Sequence, residues 1–115
     1  MMFDKPIREI IFYGDSFWDF YKKQTQKVKK KINWTIGLLQ FLEIIPEKYL
    51  KHIEGTDLYE LRVSFGNNIF RIFCFFDKDR LVIILNGFQK KTQKTPKTEI
   101  DRALRLKHDY YENKK

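Results

Sequence analysis

Residues 87–100 read GFQKKTQKTPKTEI and place Lys90, Lys91, Lys94 and Lys97 close together with no acid among them. Upstream, Arg71 interrupts the apolar run IFRIFCFF, where a charge is expensive to bury unless it is paired or reaches solvent. Arg62 lies nine residues earlier, in LYELRVSF. If the chain turns back at residues 66–67, the two arginines come close to opposite one another on neighbouring strands. Like charges so placed are destabilising, which calls for an anion between them. That anion is either a ligand or Glu60, acting as a structural ion-pair partner. The cation-rich stretch then leads into a helix start, where free N–H groups and the helix dipole attract phosphate. The chemistry on offer is therefore the binding of an anion, and of phosphate above all.

A second basic run, Lys22, Lys23, Lys27, Lys29, Lys30 and Lys31, has no acid between Asp19 and Glu43. It reads either as a solvated helix face or as a surface that steers RNA. The HDYY stretch at 108–111 offers an imidazole, a carboxylate and two phenols, although helical spacing sends some of them inward. His52 and His108 stand alone, so no metal-ligand spacing appears. There is no glycine-rich phosphate loop, and no cofactor is expected. The one cysteine, Cys74, lies in an apolar run and reads as core. It cannot form an internal disulfide, which fits a reducing cytoplasm.

The elements that must position these residues come from periodicity. The chain has 115 residues, 43% hydrophobic and 17% aromatic, enough for a single domain over 1–115 with one compact core. Its net charge of +8 and pI near 9.6 favour a polyanionic partner. No stretch is apolar enough to span a membrane, and MMFDKPIREI lacks the apolar region of a signal peptide.

IREIIFY (7–13) reads as a strand, and Asp15 or Ser16 can cap a helix directly after it. From Phe17 to about Ile45 the spacing is helical, with Phe17, Phe20, Tyr21, Val28, Ile32, Ile36 and Leu39 on one stripe. The stripe shifts phase near Gln24–Val28, which predicts two helices or one bent helix. EKYLKHIEGTD reads as a turn of helix and a loop. Three antiparallel strands come next, at 58–65, 69–76 and 81–88. Thr95 suits a helix N-cap and Pro96 the first helical position. Ile100, Ala103, Leu104 and His108 mark the inner face of a last helix that runs to about Tyr111, with ENKK fraying.

The stretch LYELRVSFGNNIFRIFCFF, followed by LVIILNGFQKKTQKTPKTEIDRAL, closely resembles the phage Gp49-like branch of the RelE/ParE toxin superfamily, often called HigB toxins. The resemblance implies an α+β fold: an N-terminal helical hairpin on a twisted, mostly antiparallel four-stranded sheet, with a C-terminal helix. It implies the toxin of a type II toxin–antitoxin pair, a metal-independent endoribonuclease that cuts mRNA in the ribosomal A site and so inhibits translation. Implied partners are the ribosome, a cognate helix-turn-helix antitoxin and, through their complex, operator DNA, all in the cytoplasm.

By position, Arg62 and Arg71 are assigned to the scissile phosphate. Lys90 or Lys91 is assigned to proton transfer or charge stabilisation, and Lys94, with Lys97, to adjacent RNA. Many relatives read HGF where this chain reads NGF, so Asn86 stands in place of an imidazole and is assigned to hydrogen bonding with RNA. Two other readings remain open: a ParE-like inhibitor of DNA gyrase, and a basic nucleic-acid-binding module without catalysis.

Overall fold

The computed structural model describes residues 5–114. The first four residues of the segment read for a signal peptide, and Lys115 of ENKK, lie outside the described residues. The element order is β1 (Glu9–Phe12), α1 (Ser16–Tyr21), α2 (Gln26–Phe41), β2 (Leu50–His52), β3 (Tyr59–Phe65), β4 (Asn68–Phe76), β5 (Leu81–Lys90) and α3 (Lys97–Lys114). The strands form one sheet in the order β1-β5-β4-β3-β2. The β1–β5 pair is parallel and the other pairs are antiparallel.

The sheet therefore has five strands, not four. The additional strand is β2, within the stretch read as a turn of helix and a loop. A turn is present, because the Pro46 carbonyl accepts from the N–H groups of Tyr49 and Leu50. The strand starts at once afterwards and is only three residues long. Three residues are too few to display an alternating pattern.

The two faces of the sheet are covered by different helices. Phe17 and Phe20 of α1, with Val28, Ile32, Ile36 and Leu39 of α2, pack on Leu61, Val63, Phe70, Ile72, Val82 and Ile84. On the opposite face Ala103 and Tyr110 of α3 pack against Phe73, Phe75, Ile83 and Leu85. Strands β4 and β5 are thus buried on both sides, which is why they read as nearly unbroken apolar runs. The phase shift near Gln24–Val28 marks a real break between helices. There the Thr25 hydroxyl accepts from Val28 N–H at 3.2 Å and caps α2. Asp15 occupies the cap position of α1 without a side-chain hydrogen bond.

The last helix differs in phase and extent from its expected form. It begins at Lys97, with the Pro96 carbonyl accepting from Glu99 and Ile100, and it continues through Lys114. His108 and Leu104 are exposed, and the inner face is Ile100, Ala103, Leu106 and Tyr110. Asp77 holds the far end, accepting from Tyr110 Oη at 2.7 Å, Tyr111 Oη at 3.2 Å and Lys114 Nζ at 2.7 Å. Those contacts keep ENK helical and give the phenols of HDYY a structural role.

One irregularity governs the site. Ile72 pairs with Gly87 but Cys74 pairs with Ile84, so Phe73 opposes both Leu85 and Asn86. This bulge reverses the alternation of β5. Ile83 and Leu85 face α3, and beyond the bulge Phe88 does so as well. Lys90, two residues on, is brought to the side of the sheet that carries Arg71. Gly87 is required beside the bulge, because a Cβ there would lie 2.5 Å from Cδ2 of Phe20.

Candidate functional site

The β3–β4 hairpin turns at Gly66 and Asn67, between the paired residues Phe65 and Asn68. Gly66 supplies the positive φ of +61° that a tight hairpin turn of this kind needs. That register sets Arg62 directly opposite Arg71. Glu60 lies two residues before Arg62 on the same strand, and hence on the same face. Its Oε2 is 3.1 Å from Arg62 Nε and 3.6 Å from Arg71 Nε. One carboxylate thus serves two guanidinium groups, and the triad keeps an excess positive charge.

The Arg71 and Glu60 side chains are only 9% and 8% exposed, whereas that of Arg62 is 30% exposed. Neither Nε–H makes a hydrogen bond, and Arg71 Nη1 donates to its neighbour's carbonyl, Phe70 O, at 3.1 Å. Burial lowers the Arg71 pKa from its ordinary value; Glu60 acts to raise it and Arg62 to lower it further. The charge is held in place by its neighbours with part of its hydrogen-bonding capacity unused.

Two concave regions meet at Arg71. The first, of about 330 Å³, is lined by Arg62, Ser64 and Arg71 together with Lys31, Lys48 and Tyr49. The second, of about 540 Å³, is lined by Ile69, Arg71, Lys90, Lys91, Thr92 and Gln93. Ile69 and Arg71 belong to both, and no carboxylate lines either. Glu60 instead faces a third recess, of about 270 Å³, with Lys51, His52 and Thr95. The outcome is a basic groove across the end of the sheet, with Glu60 lining a separate recess.

The expected site residues divide accordingly. Arg62, Arg71, Lys90 and Lys91 come together. Lys94 sits in the exposed loop before α3, where its carbonyl accepts from Thr92 Oγ1 at 2.8 Å, and it lines neither region. Lys97 points to solvent from the first turn of α3 and pairs with Asp101 at 3.0 Å. Asn86 corrects the sequence reading most clearly. It is 1% exposed, and its Nδ2 donates to Glu99 O at 3.2 Å and Glu99 Oε1 at 3.1 Å. It therefore joins the bulge to the start of α3 and has no surface to offer RNA. Glu99 already occupies that first helical turn, so the helix start is not a free anion site.

Lys48 and Tyr49 were not foreseen as site residues, because they precede the short β2. Lys31 belongs to the lysine run, but its place was not legible there. A signal did exist in Trp34, an aromatic residue on the outer face of an otherwise amphipathic helix. Lys31 Nζ lies 4.8 Å over the Trp34 ring and Lys48 Nζ 5.4 Å over that of Tyr49. Such contacts at exposed sites contribute about 0.5–1 kcal/mol each.

Residues 19–108 match the family described as phage derived protein Gp49-like (DUF891). The chain belongs to the Gp49-like family. This Gp49-like protein is also similar to the "Probable endoribonuclease HigB1" of Mycobacterium tuberculosis, in strains CDC 1551 / Oshkosh and ATCC 25618 / H37Rv. In each case it is 46% identical over 55 residues, which cover 48% of this chain and 42% of the relative. The aligned part therefore spans less than half the length of these curated relatives. The family and the HigB likeness agree with the resemblance carried by the β3–β5 motifs. Among the described residues no helix is long and apolar enough to cross a membrane, and no group of three or more His, Cys, Asp or Glu could hold a metal ion.

Proposed function

We propose that this Gp49-like protein is the toxin of a type II toxin–antitoxin pair and acts as an endoribonuclease on mRNA in the ribosomal A site. The observation that carries this reading is the opposed pair Arg62 and Arg71, bridged from behind by Glu60 and opening onto a groove lined by lysines. Stability alone would favour an apolar residue at position 71, since a buried charge seldom outdoes good packing. A phosphate between the guanidinium tips would neutralise the charge that Glu60 leaves over.

In the proposed reaction the ribose 2′-oxygen attacks the adjacent phosphorus and the bond to the 5′-oxygen of the next nucleotide breaks. The 2′-hydroxyl proton leaves to a base, and a proton reaches the departing 5′-oxygen. The products are a 2′,3′-cyclic phosphate and a 5′-hydroxyl. Arg62 and Arg71 hold the phosphate oxygens and stabilise the charge that builds on them. Lys90 or Lys91 transfers a proton or adds charge stabilisation, and Lys94 meets a neighbouring phosphate. Glu60 is a positioning residue that orients both guanidinium groups. The cognate antitoxin is a helix-turn-helix protein that neutralises the toxin and carries the complex to operator DNA. Both proteins work in the cytoplasm.

The test is expression of the chain alone in a bacterial host. Growth arrest should accompany transcripts cut within reading frames, whose upstream fragments end in a cyclic or 3′ phosphate. Cleavage should persist in purified translation complexes when free divalent ions are limited to those that keep ribosomes intact. Intact mRNA with broken DNA would instead identify a gyrase inhibitor. Intact nucleic acids and unaffected growth would leave a binding module.

A further inference from the structure

An aromatic pair borders the basic groove on the side away from Lys90. Trp34 of α2 is 50% exposed, and its ring centroid lies 5.6 Å from that of Tyr49, at 74° between planes. The Tyr49 carbonyl accepts from Arg62 N–H at 2.7 Å, which ties this pair to the strand that carries the arginine. Tyr49, Lys31 and Lys48 line the same concavity as Arg62 and Arg71.

Trp34 lies outside the buried face of α2, which is built from Val28, Ile32, Thr35, Ile36 and Leu39, and packs edge-on against Tyr49. An exposed ring and a half-buried one beside cations, along a groove lined by no acid, are a combination that can hold single-stranded nucleic acid: rings take bases and cations take phosphates. A stacked base is held more strongly than a solvated ammonium over the same ring, so a base can displace Lys31 and Lys48 from the ring faces.

We propose that Trp34 and Tyr49 form a base-stacking subsite for the nucleotide next to the phosphate held by Arg62 and Arg71. Lys31 and Lys48 then swing from the rings to that nucleotide's backbone. The inference rests on the RNA reading above and extends it by fixing the path of the strand, from the arginines over the β2 edge to α2. Stacking tolerates any base, so this subsite sets register and affinity without reading sequence.

The test uses binding rather than cleavage. Trp18→Phe leaves Trp34 as the sole tryptophan, since the chain has two. The probes are a 2′-O-methyl hexanucleotide, which lacks the attacking hydroxyl, and an abasic hexamer with the same phosphates. The base-bearing probe should quench Trp34 fluorescence. Trp34→Ala should weaken its binding about 5- to 150-fold, leave abasic binding unchanged, and be largely rescued by Trp34→Phe. Melting curves control for folding. Absence of quenching, unchanged affinity in Trp34→Ala, or an equal loss for both probes would overturn the subsite. If that happens while transcripts are still cut in cells, the nuclease reading stands without it. If stacking is found but transcripts remain whole, the subsite stands and the nuclease reading falls.

Discussion

Arg62 and Arg71 face one another across the β3–β4 ladder, and Oε2 of Glu60 lies 3.1 Å from the Nε of one and 3.6 Å from that of the other. A pairing that would be repulsive alone becomes a bridged triad with a net positive charge. Glu60 is the structural partner of both arginines.

Glu60→Gln should be more destabilising than the loss of either arginine, because it leaves two guanidinium groups opposed with no counter-charge. Removing one partner of a buried ion pair costs about 3–5 kcal/mol. The partial exposure of Arg62 reduces this to roughly 2–3 kcal/mol through solvent screening. Urea denaturation checks the value. The double variant Glu60→Gln/Arg71→Met should be more stable than the sum of the two single changes.

Arg71→Ala should keep the fold, since Glu60 retains Arg62, yet lower RNA cleavage by roughly 30- to 1,000-fold. That range corresponds to about 2–4 kcal/mol for loss of one charge-stabilising donor. Lys97→Ala is the control and should cleave almost as the parent does, because Lys97 pairs with Asp101 on α3. Single-turnover cleavage with thermal melts separates the two outcomes.

Binding to single-stranded RNA should fall steeply with salt. If Lys31, Lys48, Arg62, Arg71, Lys90, Lys91 and Lys94 each neutralise one phosphate, the log–log slope is about −5. Lys48→Ala should make it shallower by about 0.7. Anisotropy titrations over a salt series measure both, and a slope near zero would leave the groove facing solvent or protein.

The anchorage of α3 should weaken at both extremes of pH. Lys114 first, with Tyr110 and Tyr111, lowers the Asp77 pKa against the opposing effect of burial. A depressed carboxyl pKa contributes stability that is present above the ordinary value near 3.9 and is lost as pH falls through the folded value. The Tyr110 phenol is pushed up to about 12, by burial first and then by Asp77. Its contribution is complete below the ordinary value near 10 and is lost as pH rises toward the folded one. Melting temperature against pH should show both arms, and Asp77→Asn should flatten the acid one.

Gly87→Ala should cost about 1–3 kcal/mol by overpacking. Its Cβ would lie 2.5 Å from Cδ2 of Phe20 and 2.8 Å from Cε2, so the ring of Phe20 must move. Phe20→Leu in the same chain should recover part of the loss. Equal denaturation midpoints for Gly87→Ala and the parent would show that α1 can move away at no cost.

The hairpin was legible because everything that defines it is local. GNN places the turn, period-two alternation gives the faces, and a spacing of nine then sets Arg62 against Arg71. Asn86 was misread for a related reason. Its motif position suggested a surface role, whereas its burial depends on a bulge that only the pairing of β5 with β4 reveals. Lys97 likewise belongs by spacing to the lysine cluster, but α3 starts there and turns it toward Asp101.

The sequence alone determined the α+β class, a helical region broken or bent near Gln24–Val28, the three-strand meander and the opposition of two arginines, because turns and hydrophobic period act between near neighbours in the chain, while the family was legible only as a resemblance of the β3–β5 motifs. Tertiary structure decided that Glu60 lies beside both arginines rather than one. It also decided that β2 completes a five-stranded sheet, that Lys90 shares a face with Arg71, and that Lys31, Trp34, Lys48 and Tyr49 gather beside Arg62. Those relationships join segments far apart in sequence through strand register and the packing of α2, and no local pattern records them.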